Sequence, residues 1–267
     1  MCLLIVGIRD HRNFPIFLAA NREEETKRKT TTPKVLEDGK ILVAGIDERE
    51  GGAWLGANQS NIIVAVTNRE EKGTPGKKRS RGNLVLEALA QETIEKIQSL
   101  LKKSAKNYKS FNLFFGNLNA SYVAQWNGKR LSMEKLEPGI HVIGKVDLDD
   151  RKNAKVKRAF ELLDMKQETA LPIDILPTDW RDLFFKLIQV CKDHEPGKDL
   201  KETLCRHDKP VKTVSSSLFA LANRGVNYSF FWHLVGNPCE ATYRDYTQLV
   251  RKVVIPQKTP QTSGVIS

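Results

Sequence analysis

Residues 2–24 decide the reading of this chain: the apolar run Cys2-Leu3-Leu4-Ile5-Val6-Gly7, a turn at Asp10-His11-Arg12-Asn13, a second run Phe14-Pro15-Ile16-Phe17-Leu18-Ala19-Ala20, and then Asn21-Arg22-Glu23-Glu24. Two apolar runs flanking a polar turn predict a β-hairpin with its first strand over residues 2–8. An antiparallel hairpin returns the end of its second strand beside the start of its first, so Cys2 and Arg22 are expected to be neighbours. A guanidinium next to a thiol stabilises the thiolate, and its planar fork also holds a carboxylate. If Met1 is removed, Cys2 carries a thiol and a free α-amine, which together supply a nucleophile and its own general base. A small thiol at the head of a buried strand is also simply a small hydrophobe.

Working outward, Gly51-Gly52-Ala53-Trp54-Leu55-Gly56-Ala57-Asn58 presses glycines around a tryptophan, which suggests tight turns and close backbone approach. A third strand ends at Val66-Thr67-Asn68. Leu86, Leu89, Ala90, Ile94, Ile97 and Leu101 make one helical stripe and predict a single helix over residues 80–103. Strands are expected over 111–116 and 122–126, the latter ending in the Asn127-Gly128 turn pair. Helices follow over 153–164 and 179–192, then strands over 215–221, 228–235 and 241–246. Strands, helix, strands, helices, strands is compatible with an α+β four-layer αββα sandwich, two antiparallel sheets between helical layers. No linker, repeat or low-complexity tract interrupts the chain, so one domain is expected over residues 1–255, with a flexible tail over 256–267.

The 267 residues carry 43 Lys and Arg against 32 Asp and Glu, a formal charge of +11. That balance favours acidic partners and fits transient contact with an anionic membrane surface. The basic runs, residues 77–81 and 152–158, lack interleaved aromatics, so no nucleic-acid partner is expected. Four cysteines, no secretory signal and no long apolar span indicate a reduced, intracellular, unsecreted protein of the cytoplasm or mitochondrion. Cys191, His194, Cys205 and His207 have the spacing C-x2-H-x10-C-x-H, but the last pair is too close for zinc-finger geometry. Cys191 reads instead as part of an apolar helix face, and no metal site is expected.

Several blocks in order carry a resemblance: Met1-Cys2-Leu3-Leu4, Ala19-Ala20-Asn21-Arg22-Glu23-Glu24, Gly51-Gly52-Ala53-Trp54-Leu55-Gly56 and Val66-Thr67-Asn68. Ser80-Arg81-Gly82, Tyr108 with Phe111-Asn112-Leu113, Pro138-Gly139-Ile140-His141 and Ser215-Ser216-Ser217-Leu218-Phe219 continue it to about residue 220. Together they resemble the NRDE family, which implies a fold of the N-terminal nucleophile (Ntn) hydrolase type. It also implies two functions.

As a cysteine amidohydrolase acting on an acidic amide or acyl substrate, the chain would use Cys2 as nucleophile and its amine as base. Arg22 would polarise the thiolate, Glu23 or Glu24 would hold the amine, and Asn68 would donate to the oxyanion. No catalytic cofactor would be needed. Three departures weaken that set. Glu23 stands where the family has Asp, Gly144-Lys145 replaces a Ser-Asn pair, and no Gly-Thr-Arg segment appears within residues 223–228. Losing one oxyanion donor costs about a hundredfold or more in rate. The second implied function is intracellular haem trafficking, with haem or another acidic amphipathic small molecule as the ligand carried. Candidate axial ligands are Cys2, His141 and His233, and candidate propionate partners are Arg22, Arg69 and Lys145. The ligand-binding set expected is therefore Cys2, Asn21, Arg22, Trp54, Asn68, Arg69, His141 and Lys145. An adaptor role in secretory-pathway organisation is a third reading, to which no residue contributes.

Overall fold

The opening hairpin forms as expected. β1 (Leu3–Ile8) and β2 (Ile16–Glu25) pair antiparallel from Ile8 opposite Ile16 to Leu3 opposite Asn21. The computed structural model describes residues 3–70, 78–164, 180–194, 203–208 and 210–253. Cys2 and the expected tail over 256–267 lie outside these residues. Every residue of β1 is buried. Its two faces enter different cores: Leu4, Val6 and Ile8 face a second sheet, and Leu3 and Ile5 face a helical layer. A strand covered on both faces reads as a continuous apolar run rather than an alternating one.

Around this hairpin grows a six-stranded sheet. β10 (Gly139–Ile143) pairs with the free edge of β1, and β11 (Val211–Ala222), β12 (Gly225–Val235) and β13 (Arg244–Asp245) extend it beyond β2. The second sheet has seven strands in chain order: β3 (Lys34–Leu36), β4 (Ile41–Val43), β5 (Leu55–Asn58), β6 (Ile63–Asn68), β7 (Phe111–Gly116), β8 (Ser121–Trp126) and β9 (Leu131–Lys135). All pairings between named strands are antiparallel.

The sheets face each other across a core that includes Leu18, Leu42, Phe114, Phe219 and Phe231. On the outer side of the seven-stranded sheet, α1 (Arg81–Leu89) and α2 (Ile94–Ser104) bury Leu84, Val85, Ile97 and Leu101 against Val64 and Phe115. On the other side, α3 (Ala154–Asp164) and α4 (Trp180–Cys191) bury Phe160, Phe184 and Leu187 against Ile5, Phe17 and Leu218. The short α5 (Thr247–Arg251) sends Val250 into the core between the sheets. Each fully buried Leu, Ile or Phe contributes about 1.5–3 kcal/mol, so the four layers are held by three apolar seams. The expected αββα sandwich is the fold observed. Among the described residues, no helix is long and apolar enough to cross a membrane.

The single helix expected over 80–103 is two. Asn58 on β5 donates from Nδ2 to the carbonyls of Leu89 (2.7 Å) and Gln91 (2.8 Å), which captures the end of α1. Thr93 then opens α2, its hydroxyl accepting from Lys96 N at 3.2 Å. The stripe continues through Leu89, Ile94, Ile97 and Leu101, all buried, so periodicity alone carries no sign of the break. Ala90, expected in that stripe, is exposed. The strand expected over 241–246 shrinks to the two residues of β13, and β3, β4, β5, β9 and β10 were not foreseen as strands.

Candidate functional site

Strand alternation sorts the Asn-Arg-Glu-Glu block into two sides. Arg22 and Glu24 turn inward towards the seven-stranded sheet, whereas Asn21 and Glu23 turn outward to the helices. Arg22, 6% exposed, lies over the Trp54 ring at 4.6 Å and donates from Nη2 to Asp47 Oδ2 at 3.0 Å. Arg28 closes a fork on the same carboxylate, from Nε at 2.5 Å and Nη2 at 3.1 Å. Asp47 Oδ1 also accepts from the backbone N–H groups of Arg49 and Glu50, at 3.2 and 3.0 Å. Burial by itself would raise the Asp47 pKa. The hydrogen bonds from Arg28 and Glu50, with the charges of Arg28 and Arg22, outweigh it and hold the carboxyl below its ordinary value.

These groups line an open cleft of about 480 Å³, with Trp54, Asn68, Ser80 and Arg81 completing its walls. Backbone packing makes the floor. A Cβ on Gly52 would sit 2.4 Å from the Gly82 carbonyl carbon, so the loop before β5 and the start of α1 touch main chain to main chain. Ser80 caps that helix by accepting from Gly82 N at 3.3 Å. A smaller apolar recess of about 240 Å³ adjoins, walled by Leu3, Leu4, Ala20 and Ala65 and sharing Arg22, Trp54 and Val66 with the cleft. Arg22, Arg28 and Arg81 against Glu24 and Asp47, three less two, leave the cleft one formal positive charge.

The other expected residues are placed elsewhere. Glu23 is wholly buried under α3, where Lys155 Nζ reaches its Oε1 at 2.5 Å and Arg206 lies 3.7 Å from its Oε2. Asn21 borders the recess, yet its Nδ2 points outward to the carbonyls of Cys191 (2.9 Å) and Leu204 (3.0 Å). Arg69 is committed to Asn112 Oδ1 (3.0 Å), Val146 O (2.8 Å) and Asp147, which ties the loop after β10 to the seven-stranded sheet. Lys145 sits in that loop, its carbonyl accepting from Glu70 N, and does not line the cleft. His141 is on the edge strand with both ring nitrogens occupied, Nδ1 by Asp149 (2.7 Å) and Nε2 by the Glu137 carbonyl (2.9 Å). The bond to Asp149 is the main cause of its raised pKa. Thus Arg22, Trp54 and Asn68 come together; Arg69, His141 and Lys145 do not join them.

His233 is the described imidazole nearest the site. It is 1% exposed, its ring 6.4 Å from that of Trp54, with Nδ1 paired to Ser217 Oγ at 2.8 Å. Burial, followed by the Arg22 charge, lowers its pKa to about 4, so it is neutral at physiological pH. Asp47 and Arg28 escaped the sequence reading: Asp47 lies in Asp47-Glu48-Arg49-Glu50, which reads as a solvated loop. Cys191 lies on the buried face of α4, as its helical periodicity implied, and burial pushes its thiol up to about 11.

Antiparallel sheets of six and seven strands, packed face to face between helical layers, give this chain the architecture of the Ntn-hydrolase fold. A crystal structure of the C2A mutant of conjugated bile acid hydrolase from Clostridium perfringens is similar to it, with a TM-score of 0.51 over 93% of each chain at 12% identity. Residues 1–235 match the Transport and Golgi organisation 2 family, to which this chain belongs. It is similar to the Transport and Golgi organization 2 homolog of Mus musculus, 28% identical over 64% of this chain and 65% of the relative. The Homo sapiens homolog is 28% identical over 61% and 62%. The match therefore spans less than two thirds of either relative.

Proposed function

We propose that the cleft and its apolar recess bind an acidic amphipathic small molecule, haem foremost, and that the protein acts as an intracellular carrier of it. One observation carries this reading: an apolar recess and a polar, net-positive cleft share Arg22, Trp54 and Val66. An apolar edge of the ligand in the recess and its carboxylates in the cleft would satisfy both halves of such a ligand. His233 adds a neutral imidazole behind Trp54, whereas His141, held by Asp149, is poorly suited to serve as an axial ligand. Purified, reduced protein titrated with haem is expected to give a saturable Soret shift. Unsaturable binding no tighter than that of an unrelated protein of similar charge would overturn it.

The second reading, a cysteine amidohydrolase of acidic amides or acyl compounds, is favoured by Arg22 and Asn68 lining the cleft near the start of β1. It is opposed by Glu23, whose carboxylate turns away from Arg22 to pair with Lys155. Intact mass discriminates: retention of Met1 blocks the α-amine, whereas its removal together with acyl transfer to Cys2 would favour the hydrolase.

A further inference from the structure

Cys191, Cys205 and Cys239 have different surroundings. Cys191 packs in the outer apolar core, but Cys205 and Cys239 bring their Sγ atoms to 3.4 Å across 34 residues of chain. His207 Nε2 stands 3.0 Å from Cys239 Sγ and 3.5 Å from Cys205 Sγ. His194 stacks on His207 with ring centroids 4.1 Å apart, and one ligand atom from each of His194, His207 and Cys239 lies within 4.8 Å of the others. We propose that His194, Cys205, His207 and Cys239 form a structural zinc site that clamps the end of α4, the 203–208 segment and the turn after β12 together.

Three of the four donors already stand close to the spacing the ion needs. Bonds of about 2.3 Å to sulfur and 2.0–2.1 Å to nitrogen in a tetrahedron put ligand atoms roughly 3.3–3.8 Å apart. The separations among Cys205, Cys239 and His207, 3.0–3.5 Å, are slightly tighter and need only a small opening. His194, stacked on His207 and within 4.8 Å of the His207 and Cys239 donors, must unstack and swing inward to complete the tetrahedron. Two thiolates and two imidazoles are the donor set that selects zinc over oxygen-seeking cations. His207 Nδ1 accepts from Asn237 Nδ2 at 3.1 Å and lies 3.5 Å from the Glu240 carboxylate. With zinc on Nε2 the proton moves to Nδ1, the Asn237 amide turns aside and Nδ1 donates to Glu240, the usual support of a metal-bound histidine.

The supporting chain is already in place. Cys205 N donates to Asp193 O at 2.9 Å and Leu204 N to Asp193 Oδ2 at 3.3 Å, while Arg158 grips Asp193 Oδ1 at 2.7 Å. Gly236 N bonds Val214 O at 2.8 Å and fixes the turn that carries Cys239. Zinc binding would release the two thiol protons and leave no open coordination position, so the role is structural rather than catalytic. Arg206, between two of the ligands, reaches Glu23 on the back of β2, so the clamp would steady the strand that presents Arg22.

The test uses the full chain without a polyhistidine tag, purified under reductant and dialysed. Equimolar zinc by elemental mass spectrometry is expected for wild type and for Cys191→Ala, and at least a tenfold drop for Cys239→Ser and His194→Ala. Cobalt added to the metal-free protein should give the absorption of tetrahedral cobalt with sulfur-to-metal charge transfer. Should Cys239→Ser fail to fold, the half-buried His194→Ala decides the matter. Three results would overturn the site: no cobalt–thiolate band, zinc undiminished in both ligand variants, or a metal-free protein with a Cys205–Cys239 disulfide.

Discussion

Replacing Lys155 with methionine removes the nearest described cation from the Glu23 carboxylate in the outer core. Lys155 is 3% exposed and the Glu23 side chain is fully covered, with Nζ and Oε1 at 2.5 Å. Breaking such a pair by removing one partner costs about 3–5 kcal/mol, because the remaining charge stays buried. Arg206 remains at 3.7 Å and offsets part of that, so a loss of about 3 kcal/mol is expected. The companion double variant, Lys155→Met with Glu23→Leu, removes both charges and should return to within about 1 kcal/mol of wild type. Urea titrations of wild type, both single variants and the double variant give the coupling energy directly, provided the slope with denaturant is unchanged. Ligand binding to the double variant should match wild type, since Glu23 points away from the cleft. A loss below about 1 kcal/mol for Lys155→Met would refute the burial argument. A stable double variant that no longer binds ligand would place the Glu23 carboxylate in the binding machinery.

Three further perturbations probe separate parts of the account. Asn58→Ala removes two donations to the end of α1 and the acceptor for Ser60 N and Ile62 N, and should cost about 2–4 kcal/mol in chemical denaturation. Gly52→Ala forces main chain apart at 2.4 Å from Gly82, so it should destabilise by about 1–3 kcal/mol and weaken ligand binding; a neutral result would mean the loop has room to move. His141 has a raised pKa when folded, so its charged form contributes stability that is fully present below its unfolded value and fades as pH rises through its folded one. The stability gap between wild type and His141→Gln should therefore be larger at about pH 5.5 than at about pH 8.5, and equal gaps would contradict a protonated His141–Asp149 pair.

Much of the fold was legible because its signals are local. Apolar runs broken by Asp10-His11-Arg12-Asn13 give the first hairpin, and Asn127-Gly128 marks the β8–β9 turn, where Asn127 Oδ1 accepts from Lys129 N and Arg130 N and Gly128 adopts a φ of 90°. The helix break at residues 90–93 was not legible, since it is made by Asn58, some thirty residues upstream, and not by a gap in the stripe. The expected site residues converge only in part. Arg22, Trp54 and Asn68 do gather, but Arg22 and Glu23 are adjacent on one strand, and a period of two sends them to opposite faces. That consequence was available from the sequence once the strand was known to run to Glu25. Asp47 was not available, because the groups that define it, Arg22 and Arg28, meet it only after the sheets close. The close Cys205 and His207 pair became suggestive only when Cys239 arrived from the turn after β12.

The most direct test of the cleft is a paired haem titration of wild type, Ala20→Phe and Arg28→Gln. Ala20 walls the apolar recess, and a phenyl ring there would occupy the space assigned to the ligand's apolar edge; Arg28 lies in the polar cleft on Asp47. Wild type is expected to bind saturably, folded Ala20→Phe at least tenfold more weakly, and Arg28→Gln with a smaller loss that is relieved at high salt. Unchanged affinity in both folded variants would contradict binding in the cleft and move the ligand elsewhere on the molecule.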